Sequence, residues 1–272
     1  MKKELTLITL IDLIFLMLLS LSGLALGVIS EIIYYTAFVI PSVMGIAYIK
    51  IRGGYDTGEF TIGVKLTRGA VCDLIPLIAP TVSLIFAISY VTSVVMESFG
   101  FNDGFQITEG IWAALIVHAV IPAVAEEILF RYVPLKLMLP FSSRWAVILS
   151  SLFFALIHAN LFQIPYAFAA GIIFALVNIL TGSIIPSILL HFANNAISVI
   201  YMTRVTPDTL SLFYIILCCA TAVSVVLIFI MRQRYRRVVA PLLSNKTAHF
   251  SLSPIALVAL TLCIAVSNLF VA

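Results

Sequence analysis

Apolar residues in this chain come in unbroken runs separated by short polar stretches. They do not alternate with polar residues as they would on a half-buried strand. Runs near 20 residues are long enough to carry a helix across a bilayer, and their continuity argues against a membrane β-barrel. They fall at about 5–29, 32–50, 70–95, 109–131, 145–161, 164–181, 184–203, 209–231 and 252–271. The pattern predicts an all-α, polytopic transmembrane helix bundle of about 8–9 spans in one integral-membrane domain, 1–272. The last run follows a polar stretch, so an accessory element is the alternative there.

Composition narrows the class. The chain is 62% hydrophobic and 10% charged, whereas soluble domains run nearer ~45–50% and ~25%. Only a membrane-embedded chain fits. Charge then sets the orientation. With the N-terminus in the cytoplasm, inside segments hold fourteen Lys and Arg residues and outside segments hold only Arg204. Glu97, Asp103 and Glu109 flank one outer loop. The run "RQRYRR" (232–237) reads as a topology anchor beside a span rather than as a nucleic-acid site. The start, "MKKELTLITLIDLIFLMLLSLSGLALG", has an apolar stretch too long for a signal peptide and no small-residue cleavage site, so it reads as a retained first span. Gly23 and Gly27 form a small-xxx-small pair suited to close helix approach. The glycine-rich loop 51–69 suggests a short interfacial segment. Cys72, Cys218, Cys219 and Cys263 show no metal-type spacing and read as small core residues.

Polar groups within the runs need a reason, because a charge at mid-membrane costs ~2.5–3.5 kcal/mol on insertion scales. In "AEEILFRY", Glu127 and Arg131 stand four apart and share a helical face. Glu126 is rotated ~100° from Glu127 and finds no base at i+3 or i+4. The spacing makes Glu127 a structural acid and leaves Glu126 to face a cavity. The alternative is an ion-pair cluster at a helix end. "FALIH" ends in His158, which alone reads as a core histidine. "HFANN" puts His191 and Asn195 on one face, while Asn194 points elsewhere as a packing residue. By helical rise, Glu126 lies ~15 Å above Lys136, His158 ~21 Å above Arg144 and His191 ~13 Å above Gly182. In a ~30 Å hydrocarbon core, an acid, two imidazoles and an amide from three spans can therefore meet. His118, Asp12 and Asp73 read as interior polar contacts, and His249 has no role.

The three pieces, in this order, resemble the signature of the CPBP family of intramembrane proteases (Abi or type II CAAX prenyl endopeptidases): EExxxR in "EEILFR" (126–131), FxxxH in "FALIH" (154–158) and HxxxN in "HFANN" (191–195). The resemblance covers roughly 110–200, which would be the catalytic core, with 1–108 and 205–272 as accessory spans. It implies hydrolysis of a peptide bond in a membrane-associated substrate, prenylated or leader-type. Glu126 would activate water with help from His158, His191 and Asn195 would hold the oxyanion, and Glu127 and Arg131 would support Glu126. It implies either no cofactor or a divalent metal such as zinc, held by Glu126, His158 and His191, with Asn195 a poor fourth ligand and Glu127 as base. The expected partners are a peptide or protein substrate and the bilayer, with no nucleic acid. The expected location is the plasma (inner) membrane, with the site open to the cytoplasmic side. A non-catalytic immunity or regulatory factor on the same scaffold is the alternative function. A proton-coupled transporter is disfavoured because no internal repeat is visible.

Overall fold

The computed structural model of the chain describes residues 2–24, 26, 28–53, 62–63, 65–101, 106–158, 160–233 and 235–236. Eight helices run through them: α1 (Lys2–Leu24), α2 (Val28–Arg52), α3 (Arg68–Ser98), α4 (Ile111–Met138), α5 (Ser143–Leu156), α6 (Ile164–Thr181), α7 (Ile185–Arg204) and α8 (Pro207–Ile230). Six of these, α2, α3, α4, α6, α7 and α8, are long and apolar enough to cross a membrane, while α5 and the apolar stretch of α1 are shorter. They coincide with the first eight predicted spans. The ninth predicted span, Cys263, His249, Gly27 and, within the loop 51–69, residues 54–61 and 64 lie outside the described residues.

Local chemistry sets the helix ends. Thr67 caps α3, accepting from the Ala70 N–H at 3.1 Å, and Ser142 caps α5, accepting from the Trp145 N–H at 3.4 Å. Gly182 closes α6 in the left-handed region (φ 64°), and Pro186 opens α7 at its first turn. This brief turn folds α6 and α7 into an antiparallel hairpin, so Phe174 and His191 stand at similar heights above it. The turn is fastened from outside. The Gly63 N–H donates to the Gly182 carbonyl and the Ile184 N–H donates to the Gly63 carbonyl, each at 2.9 Å. Lys136 Nζ donates to the neighbouring Ile62 carbonyl at 3.2 Å.

Helix α4 is the axis of the bundle and packs against α1, α2, α5, α6 and α7. It widens into the π form at Ile116–Val120 and Ile128–Tyr132. Each stretch ends two residues before a proline, Pro122 and Pro134. A proline inside an α-helix lacks an N–H and drives its ring against the carbonyl four residues back. Here the N–H groups of Ile121 and Val133 reach back five residues, to the carbonyls of Ile116 and Ile128. The wider turns accommodate the prolines, and α4 continues through both. Glu126 and Glu127 end the α-helical segment between the two π turns.

Lipid is as apolar as a leucine side chain, so helices in a bilayer associate through close packing rather than by escaping water. Two glycines allow such approach. A methyl carbon on Gly171 of α6 would sit 3.0 Å from Ser151 of α5 and 3.2 Å from Arg131 Nη2. One on Gly45 of α2 would lie 2.5 Å from Val133 of α4. Both are close helix contacts at a glycine; the predicted Gly23–Gly27 pair lies outside the described residues, since Gly27 does. Aromatic edges add to the packing: Phe15 meets Phe38 at 4.9 Å and Phe130 at 5.5 Å. Helix α8 packs chiefly on α3, where Ser83 and Thr221 hydroxyls share a 2.7 Å hydrogen bond.

Two expectations need correction. Cys72, Cys218 and Cys219 are exposed on helix surfaces and are not core residues, because each lies on a flank that the bundle leaves outward. Asp12 is buried, but neither carboxyl oxygen has a hydrogen-bond partner among the described residues, so the expected polar contact is not made there.

Candidate active site

Helix α4 supplies Glu126, Glu127 and Arg131, the turn after α5 supplies His158, and α7 supplies His191 and Asn195. Glu126, Glu127, Arg131 and His191 meet directly. The i, i+4 pair forms as its spacing requires: Arg131 Nε lies 3.6 Å from Glu127 Oε1, with both side chains fully buried. His191 stands between the two acids. Its Nδ1 is 3.2 Å from Glu127 Oε1 and its Nε2 is 3.8 Å from Glu126 Oε2. Glu127 Oε1 therefore meets both Arg131 and His191. Glu126 keeps 12% of its side-chain surface open against none for Glu127, which makes it the carboxylate that water can reach.

Hydrogen bonds set the state of each ring. His158 Nδ1 lies 2.9 Å from the Phe154 carbonyl. A carbonyl only accepts, so Nδ1 carries the proton and Nε2 of the neutral ring holds the lone pair. His158 is within electrostatic reach of Glu126 and His191. At His191 the shorter contact assigns the Nδ1 proton to Glu127, as in the acid–histidine pairs of hydrolases, and turns Nε2 toward Glu126. Asn195 Oδ1 accepts from Asn194 Nδ2 at 3.1 Å, leaving the Asn195 amide nitrogen as its donor end. Asn194 is thus a buried packing residue, as expected, and it also fixes its neighbour.

Aromatic rings enclose the cluster. Phe174 stacks on His191 at 4.9 Å, and Phe154 meets it edge-on at 5.6 Å. The Arg131 guanidinium lies 3.7 Å from the Phe154 ring centre and 5.5 Å from that of Phe174. Ser187, fully buried one turn before His191, interacts with Glu127, and Tyr34 of α2 is within electrostatic reach of Glu126. Sequence reasoning passed over Phe174, Ser187 and Tyr34. The i−4 spacing from His191 was a signal for Ser187, but nothing local marks the other two.

His118 takes no part. It stands 3.6 Å from Glu109, before the start of α4. A hydrogen bond from its own backbone holds the Glu109 carboxyl below the usual range, with nearby His118 adding to the effect. Among the described residues, no three His, Cys, Asp or Glu side chains are grouped to hold a metal ion. His191 Nδ1 faces Glu127 and His158 Nδ1 faces a carbonyl, which leaves Nε2 as the reactive end of each ring.

Residues 108–197, a third of the chain, match the family model described as type II CAAX prenyl endopeptidase Rce1-like. The matched stretch runs from just before α4 to just past Asn195 and takes in all three motifs. The chain carries an Rce1-like domain there, consistent with the CPBP resemblance of its motifs. No curated protein and no solved structure matches the chain.

Proposed function

We propose that this chain, through its Rce1-like domain at 108–197, is an intramembrane endopeptidase that hydrolyses a peptide bond of a membrane-associated substrate by a glutamate-activated water. The observation that carries the reading is His191 held between two carboxylates, only one of which water can reach.

Glu126 takes a proton from the water, and His158 supports the same water through its Nε2 lone pair. The water oxygen bonds to the scissile carbonyl carbon, and the C=O π electrons move onto oxygen. The Asn195 amide donates to that oxyanion, and His191 donates to it when its Nε2 also carries a proton. Collapse breaks the C–N bond, and the departing amine takes the proton from Glu126. Glu127 orients His191, and Arg131 holds Glu127. No step passes through a metal. A prenylated tail or a leader-type peptide fits a site built among membrane helices, and the distribution of basic residues favours entry from the cytoplasmic side.

Glu126→Gln keeps shape and removes the base, so cleavage should fall by about 10²–10⁴-fold in a folded protein. Peptidomics of membrane fractions carrying the wild-type chain or Glu126→Ala should show an uncleaved precursor accumulating in the variant. A fully functional Glu126→Gln chain would instead favour the non-catalytic scaffold.

A further inference from the structure

We infer that Phe154 is a positioning residue whose single ring holds Arg131, His158 and His191 in register; this rests on the protease reading above. The ring is buried in α5 and touches all three side chains. Its face lies 3.7 Å from the Arg131 guanidinium carbon, and its contacts with the imidazoles of His158 (5.1 Å, 85°) and His191 (5.6 Å, 87°) are edge-to-face.

The geometry suits the chemistry of each neighbour. Arg131 has no exposed surface, it pairs with Glu127 at 3.6 Å, and none of its side-chain nitrogens has a hydrogen-bond partner among the described residues. The negative face of the Phe154 ring adds, at the shortest range of the two rings, to the charge stabilisation that Glu127 and Glu126 supply. The imidazole contacts use the edge-to-face arrangement that aromatic pairs favour. His158 is tied to Phe154 a second time, through the Phe154 carbonyl. Phe174 closes the other side, stacked on His191 at 24° and 5.5 Å from the guanidinium carbon. A displaced Phe154 ring would therefore disturb the acid's support on α4, the lone-pair histidine after α5 and the oxyanion histidine on α7 together.

The test replaces Phe154 in the full chain with 4-fluoro-, 3,5-difluoro- and 3,4,5-trifluorophenylalanine. These keep nearly the same shape while weakening the negative ring face stepwise. The precursor found by the Glu126→Ala comparison serves as substrate. We expect kcat to fall in steps to about a tenth at three fluorines, with KM within about two-fold, and the unfolding temperature to fall in parallel. Phe154→Leu, checked for folding by size exclusion, should lose more kcat than the trifluoro chain. A flat series in both kcat and unfolding temperature, or a fully active Leu variant, overturns the inference. A wild-type chain without peptidase activity fails the protease reading instead, and the unfolding temperatures then decide by the same rule whether the ring holds Arg131.

Discussion

At position 131 a guanidinium sits with no exposed surface, 3.6 Å from Glu127 and over an aromatic ring. Removing one partner of a buried pair strands the other, which typically costs ~3–5 kcal/mol. Arg131→Leu should therefore destabilise the protein by about that much, whereas Arg131→Leu combined with Glu127→Gln should cost less than the two single changes summed, as read from unfolding in detergent. The pair was legible in the sequence because i, i+4 spacing is a local rule. The meeting of His191 with both acids was only a spatial bet, since heights along separate spans say nothing of which way a ring turns. On the metal-free route proposed above, activity should survive exhaustive treatment with a zinc chelator, and loss restored by added zinc would favour the metal alternative.

At the scale of the helix, periodicity located eight spans but not the defects within them. A proline inside a helix usually kinks or breaks it, and α4 holds two. The π turns before Pro122 and Pro134 show how the helix passes both prolines, and hydrophobic patterning carries no mark of such a turn. Close packing was equally hidden. Gly171 is an unremarkable letter in an apolar run, yet an added methyl there would press on Ser151 and Arg131. Gly171→Ala should cost ~1–3 kcal/mol in stability and also reduce activity, because one of the atoms it pushes belongs to the Arg131 side chain that supports Glu127. Equal stability of the two chains in a detergent unfolding assay would contradict this account.

Across the whole molecule, the charge distribution was the most informative sequence feature, since it needs no contact to be read. It predicts that Lys65 and Asp208 lie on opposite sides. Single cysteines placed there, in a chain whose own cysteines are replaced, should react with an impermeant maleimide from opposite faces of sealed vesicles. Labelling from one face would overturn the orientation. The native cysteines were misread because an apolar run in a membrane protein has two apolar destinations, the core and the lipid, and composition does not separate them. Cys72, Cys218 and Cys219 take the lipid side.

Each widened turn in α4 is, in length terms, a surplus residue taken up without breaking the rod. One surplus lies upstream of the acids, between Leu115 and Ile121, and the other directly after Glu127. Losing a residue from the first would close that turn to the α form, leave the outer part of the rod near its present orientation, and keep the acids in place. Losing one from the second would shorten the step from Glu127 to Arg131 and pull apart the pair on which His191 leans. Relatives of this chain should therefore differ freely in spacing before the first acid and hold the count fixed after it.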